Sequence, residues 1–208
     1  METGAGSGNE VSTSLGELGA IRDGLTGDEK TRVKYCIDTC HIFAAGYRIE
    51  RVHLRDLSIS HCTECGGCAK TGVCVIRDDM SGYYDKLLSF GRIVMALPVF
   101  FLGPPAIAKA FIDRAQSLWV RKYVLGIKPE RSPDGGAKRK GYLLSAGGFK
   151  GSGRIFDCNR SIVKAFFMSC NFKYSGELLV PGVDGFGEVK NVENIAEKAR
   201  EAGRSFAV

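Results

Sequence analysis

The sequence has little that would carry it into a membrane or out of a cell. No stretch approaches the roughly 18 consecutive apolar residues of a membrane-spanning helix. The first thirty residues are polar and glycine-rich, without the charged-then-apolar order of a secretory leader. A cytoplasmic protein with no membrane partner is the expectation. Histidine is scarce: His41, His53 and His61 are the only three. No internal repeat is present, which excludes a solenoid. Cysteine, by contrast, is plentiful. Eight in 208 residues without an export signal argue for a reducing compartment and for metal or redox chemistry rather than a disulfide scaffold. With 44% hydrophobic and 10% aromatic residues, the chain can bury one domain's core. The net charge of +6 is modest. Lys128, Arg131, Lys138, Arg139 and Lys140 crowd one Pro/Gly-containing stretch. A solvated basic loop is the plain reading, and nucleic acid is not expected as a partner.

Four of the cysteines stand together, in Cys62-Thr63-Glu64-Cys65-Gly66-Gly67-Cys68-Ala69-Lys70-Thr71-Gly72-Val73-Cys74. Short gaps let several thiolates converge on one small object, and glycines let the backbone curl around it. Compact runs of four cysteines hold iron–sulfur clusters. Structural zinc more often takes two C-x2-C knuckles separated by a longer stretch. The pattern therefore favours a cluster over zinc, with disulfides or idle thiols behind both.

Along the chain, Leu15, Leu18, Ile21 and Leu25 mark a short amphipathic helix. Val33–Asp38 reads as a buried strand and Arg51–Leu54 as a second, with the cysteine run following as a loop. Asp78 or Asp79 caps a helix whose apolar face is Met80, Tyr83, Tyr84, Leu87 and Leu88. Ile93–Leu97 is a continuous apolar run of the kind found inside a parallel sheet, and it stops at Pro98. Pro104 and Pro105 open a long helix, Ala106–Val120, with Ile107, Phe111, Arg114 and Leu118 at helical spacing. A strand Gly141–Ser145, a helix around Arg160–Cys170, a strand Glu177–Val180 and a helix capped by Asn191 complete the order. Cys158 and Cys170 read as buried helical cysteines. Alternating strands and helices predict a three-layer α/β/α sandwich on a parallel sheet. Ligands in such sheets sit beyond the carboxyl ends of the strands. Two loops fall there: Pro98-Val99-Phe100-Phe101-Leu102-Gly103, which is aromatic and apolar, and Ser145-Ala146-Gly147-Gly148, which allows close backbone approach. Together they suit a flat ring system.

Residues 48–208 resemble the iron–sulfur flavoproteins of the flavodoxin-like, NADPH-dependent FMN reductase superfamily. The likeness rests on the C-x2-C-x2-C-x5-C run, Asp78-Asp79-Met80, Pro98-Val99-Phe100-Phe101, Lys109 with Ile112-Asp113-Arg114, and Leu178–Val183. It implies a flavodoxin-like fold and FMN beside a four-iron four-sulfur cluster. It also implies a homo-oligomer fed by an electron donor such as ferredoxin or NAD(P)H. By the same resemblance Cys62, Cys65, Cys68 and Cys74 would be cluster ligands. Pro98, Val99, Phe100, Phe101, Leu102, Gly103, Ser145, Ala146, Gly147 and Gly148 would lie against the isoalloxazine ring. No proton-transfer residue is assigned, and Asp113-Arg114 reads as a structural pair.

The first β-α unit departs from that pattern. A flavodoxin-like protein wraps the FMN phosphate with a Ser/Thr/Gly/Asn-rich loop at a helix N-terminus. Here Val33–Asp38 is followed by Thr39-Cys40-His41-Ile42-Phe43-Ala44-Ala45-Gly46-Tyr47, with one hydroxyl side chain before the tyrosine and one glycine. Gly4-Ala5-Gly6-Ser7-Gly8-Asn9 has the right composition, but only Met1-Glu2-Thr3 precede it in this sequence, too few for a strand. Cys36–Tyr47 instead resembles a signature of endonuclease IV, the zinc-dependent apurinic-site nuclease built on a TIM barrel. Glu2–Gly6 and Leu15–Leu25 resemble the elements before it. In that family the positions of Glu2, Asp38 and His41 bind zinc. A TIM barrel takes roughly 200 residues or more, so an active nuclease is not expected from this fragment.

The expected organisation is thus an endonuclease IV-like fragment, 1–47, joined to a flavodoxin-like domain, 48–208, with an atypical or truncated first β-α unit. The expected function is an NAD(P)H/FMN-dependent oxidoreductase passing electrons between FMN and a four-iron four-sulfur cluster. The alternatives are an FMN-deficient iron–sulfur or zinc-binding hybrid, or an inactive remnant of the nuclease.

Overall fold

The computed structural model describes residues 20, 23–27, 49–127, 139–151 and 153–207. The chain divides between Val52 and His53 into two units, the last two residues grouping with the first. Of the first unit little is described beyond a helical turn in which the Gly24 N–H donates to the Ala20 carbonyl at 3.1 Å. The strand expected at Val33–Asp38, the nuclease-like signature Cys36–Tyr47 and most of the helix Leu15–Leu25 lie outside the described residues, as does most of the basic loop.

The second unit is organised on a parallel sheet of three strands, β1 (Arg92–Pro98), β2 (Lys140–Gly147) and β3 (Lys173–Pro181), in the order β1-β2-β3. Leu97 stands opposite Ser145, and Pro98 opposite Ala146. Leu144 stands opposite Leu178. Because side chains alternate along a strand, one face carries Met95, Leu97, Leu143 and Ser145, all buried. Against that face pack α1 (Tyr83–Ser89), α2 (Ala106–Asp113), α3 (Gln116–Trp119) and α4 (Asp157–Ser169). Leu87, Phe111, Leu118, Val163, Phe166 and Phe167 supply most of their apolar area. At roughly 25 cal/mol per Å2 of apolar surface removed from water, these large side chains dominate the core. The opposite face meets α5 (Ile195–Ala207), whose Phe206 ring lies 5.5 Å from that of Tyr142. The Arg92 Nε–H donates to the Phe206 carbonyl at 3.0 Å. Helices thus contact both faces of a parallel sheet, as the strand–helix alternation predicts.

Four local expectations are corrected. Arg51–Leu54 is not a strand; Leu54–Asp56 forms a 3-10 turn leading into the cysteine loop. The helix expected over Ala106–Val120 is interrupted at Arg114-Ala115, and a π-helical turn, Val120–Val124, ends the run. The interruption has a visible cause. The Arg114 carbonyl accepts from the Tyr84 hydroxyl at 3.1 Å, and the Ala115 N–H bonds three residues back, to Ile112. A foreign donor in the ladder bends a helix at that point. Ile107, expected on the apolar face, is more than one-third exposed. Finally, Asn191 closes a 3-10 turn, Glu188–Asn191, and the last helix begins at Ile195.

Candidate functional site

The cysteine loop is a closed structure, pinned at its base. The Asp78 carboxylate accepts from the Met80 N–H at 3.1 Å and the Ser60 N–H at 2.8 Å. Asp79 accepts from the Ser58 N–H at 2.7 Å. Asp78 and Ser81 form a capping box that starts the 3-10 turn Asp79–Gly82, which runs into α1. The two ends of the segment, Ser58–Ser60 and Asp78-Asp79, are therefore held side by side.

Arg114 completes the clamp. Its side chain is fully buried, and its two terminal nitrogens reach Asp78 at 2.6 and 3.1 Å. The same nitrogens donate to the Ser60 carbonyl at 2.9 Å and the Ile76 carbonyl at 3.2 Å. A two-pronged arginine–carboxylate pair is geometrically specific, and here it joins both ends of the loop to the end of α2. Burial alone would raise the Asp78 carboxyl. The Arg114 hydrogen bonds, with the Ser60 and Met80 N–H groups, outweigh that and hold it below the ordinary carboxylate range. Lys109 pairs with Asp113 at 2.7 Å, a helical i,i+4 pair on the surface. Asp113 and Arg114 do not pair with each other: Asp113 pairs with Lys109 on the surface, and Arg114 turns inward to Asp78.

Within the loop, Cys62, Cys65, Cys68 and Cys74 all line one cavity of about 120 Å3. Arg114, Gln116, Ser117 and Val120 form its opposite wall. The backbone curls as the glycines allow. Gly66 adopts φ +71°, and a Cβ on Gly67 would meet the Val75 side chain at 2.7 Å. Burial pushes the Cys68 thiol up, and charge on Cys74, Cys62 and Cys65 adds to that, against its own backbone N–H. Cys74 differs. Burial raises it, but the Ile76 N–H, the Tyr84 hydroxyl and the Arg114 guanidinium together bring it below the ordinary thiol value. Burial beside Cys74 raises the Tyr84 phenol to about 12. Among the described residues no group of three or more Cys, His, Asp or Glu is arranged to hold a single metal ion. All four cysteines line the cavity, and four thiolates are the donor set that a polynuclear iron–sulfide core takes.

The two loops at the carboxyl end of the sheet also come together. The Val99 N–H donates to the Ala146 carbonyl at 2.8 Å, and a Cβ on Gly147 would stand 3.1 Å from Val99. Phe100 and Gly103 exchange both backbone hydrogen bonds across a two-residue turn, 2.8 and 2.9 Å. Phe101 and Leu102, its central pair, have φ of +47° and +63°. Such turns normally take Asn or Gly at these positions. Phe100, Phe101 and Leu102 are exposed, Phe101 completely. The Ser145 hydroxyl is buried and donates to the Leu97 carbonyl at 2.7 Å while accepting from Asn159 at 3.1 Å. Asn159 also donates to the Pro98 carbonyl at 3.2 Å, bracing both strand ends from α4. Its role was not legible in the sequence, where it is an unremarkable polar residue in a helix. Tyr84 and Asp78 were likewise missed as partners of the cysteine loop, and only proximity in space reveals them.

A family model described as NADPH-dependent FMN reductase matches residues 31–155, more than half of the 208. The chain belongs to that family. An iron-sulfur flavoprotein of Archaeoglobus fulgidus is 39% identical over 70 residues, covering 34% of this chain and 32% of the relative. The aligned stretches span at most half the length of the iron-sulfur flavoproteins matched. A probable endonuclease 4 of Acholeplasma laidlawii is 49% identical over 49 residues, 24% of this chain and 16% of the relative. The endonuclease likeness covers a short N-terminal piece. Among solved structures, an FMN-dependent NADH-azoreductase from Bacillus anthracis in complex with FMN superposes with a TM-score of 0.50 at 13% identity. That superposition covers all of this chain and 97% of the azoreductase, and it supports a flavodoxin-like α/β fold. The family match begins at residue 31, upstream of the junction expected near residue 48, so residues 31–47 fall within it.

Proposed function

We propose that this member of the FMN reductase family is a flavin-dependent oxidoreductase whose cysteine loop holds a four-iron four-sulfur cluster near FMN. The observation that carries this reading is the convergence of Cys62, Cys65, Cys68 and Cys74 on one cavity in a loop clamped at both ends. A cluster would supply single-electron transfer and FMN transfer of one or two electrons, so the pair would couple the two regimes. The chain's own part is to fix four thiolates, to exclude bulk water behind Arg114 and Val120, and to leave Cys65 exposed for electron entry. Pro98–Gly103 and Ser145–Gly148 would offer the flavin ring an apolar, close-fitting edge. NAD(P)H or a ferredoxin would be the donor, and the protein would work in the cytoplasm as a homo-oligomer. Residues 48–208 would form the redox domain, with 1–47 an endonuclease-like fragment without nuclease activity.

The test is an anaerobic absorption spectrum with iron and sulfide analysis. A brown protein carrying about four iron and four sulfide per chain is expected. Cys62→Ala or Cys68→Ala should bleach it. A colourless protein holding only zinc would reject the reading. Flavin is tested separately, by quenching of FMN fluorescence at micromolar protein.

A further inference from the structure

The cavity lined by the four cysteines is not symmetric. Cys65 is exposed and Cys62, Cys68 and Cys74 are half-buried, but it is Cys74 that has a buried arginine and a phenol acting on it. Behind Cys74 stand Arg114 and Tyr84. Arg114 is only 1% exposed and lines the cavity, and its Nε has no hydrogen-bond partner among the described residues. Its other two nitrogens are fully engaged by Asp78 and the Ser60 and Ile76 carbonyls. Asp78, which balances the cation, is not part of the cavity wall. Glu64 is the only carboxylate in the lining, and it is exposed to water. A negative object in this cavity therefore meets a desolvated cation at one corner and screened charge elsewhere.

Tyr84 is held in place independently. Its hydroxyl has one proton, which goes to the Arg114 carbonyl at 3.1 Å, and it is near enough to the Cys74 sulfur to turn and donate there when that sulfur is a thiolate ligand. The hydroxyl and the guanidinium thus converge on one sulfur, positioned by the break between α2 and α3. Unpaired buried donors are costly, about 1–3 kcal/mol each. An orphaned Nε in a cavity wall beside a thiolate ligand is explained if its partner is the bound group.

We propose that Arg114 and Tyr84 are positioning residues that raise the reduction potential of the cluster held by the cysteine loop, by acting on its Cys74 corner. The inference rests on the cluster reading above. Adding an electron makes the cluster core and its thiolates more negative, so a nearby buried cation and a hydrogen bond to sulfur favour the reduced form. Neither residue gains or loses an electron or a proton in this account. They bias a one-electron equilibrium whose electron comes from an external reductant.

The experiment is an anaerobic redox titration with dithionite on the cluster-loaded full chain, followed by electron paramagnetic resonance. Tyr84→Phe, which keeps the ring and its packing, should retain full iron content while its potential becomes more negative. A tenfold change in the oxidised-to-reduced ratio corresponds to about 59 mV for one electron, and that is the shift expected. Arg114→Gln should move it further in the same direction. Arg114→Lys, which keeps the charge, should recover part of the loss, a recovery that a purely structural role would not produce. If Arg114→Gln does not fold, Tyr84→Phe with Arg114→Lys still decides. Potentials equal to wild type in both, at full cluster occupancy, would overturn the proposal. A wild-type protein that takes up no iron would instead remove the cluster reading itself, and this inference with it.

Discussion

Two buried arginines show how much a single side chain can organise. Arg139 belongs to the stretch that reads as a solvated basic loop, yet it is only 4% exposed. Its guanidinium donates to the carbonyls of Leu87, Phe90 and Cys170 and lies 4.0 Å over the Phe172 ring. Those carbonyls sit at the ends of α1 and α4, where the last turns have no intrahelical donors and the helix dipole is negative. One cation thus closes two helices. Arg139→Met should lower stability by about 2–4 kcal/mol, because it strands carbonyls that charged hydrogen bonds now satisfy; a urea midpoint at unchanged slope would measure it. The cysteines outside the loop also separate at this scale. Burial pushes the Cys170 thiol up to about 12, so at pH 8 it stays protonated and shielded. Cys158 is exposed, contrary to the sequence reading, and stands close to the turn at Gly103. Iodoacetamide at pH 8 should label Cys158 in the native protein and leave Cys170 untouched, with peptide mass mapping as the readout.

At the scale of elements, the cysteine loop depends on its clamp more than on its own propensities. Asp78 is at once the N-cap of the turn before α1 and the carboxylate partner of Arg114. Asp78→Ala removes both functions and leaves a buried cation unpaired. The expected loss is about 3–5 kcal/mol, with faster proteolysis between residues 61 and 77. The sheet imposes a second constraint. A Cβ on Gly141 would land 2.5 Å from the buried Phe167 ring, which has no space to retreat. Gly141→Ala should therefore cost about 1–3 kcal/mol through overpacking, readable as a fall in melting temperature.

At the scale of the whole molecule, acid should be the simplest way to unfold the protein. Asp78 titrates low because Arg114 and the loop N–H groups overcome its burial. Glu177 titrates low chiefly because Arg160 donates to it, with a further hydrogen bond from Tyr174. A carboxyl depressed in the folded state contributes stability above its unfolded value, about 3.9 for Asp and 4.3 for Glu. That contribution disappears as pH falls through the folded value, where the unfolded chain binds more protons. Stability should hold steady down to about pH 5 and then decline. Asp78→Asn and Glu177→Gln should each flatten that decline in chemical denaturation at graded pH.

Much of this was legible beforehand. The apolar run Ile93–Leu97 and its stop at Pro98 fixed β1 because a central strand needs nothing but apolar side chains and a terminator. The cysteine spacing pointed to the loop because ligand geometry is local. Arg51–Leu54 misled because an alternating tetrapeptide carries too little information to outweigh the turn that feeds the loop. The helix over Ala106–Val120 misled because its break depends on Tyr84, thirty residues away along the chain.

The sequence alone determined where the thiols are concentrated and which segments would form the sheet, since both follow from side-chain identity and short-range periodicity. Only the tertiary structure decided that Asp78 and Tyr84 both bond to Arg114 in the wall of the cysteine cavity, and that Arg139 is buried in the core. Burial and charge pairing are properties of neighbours in space, and separations of 30 to 50 residues hide them from any local pattern.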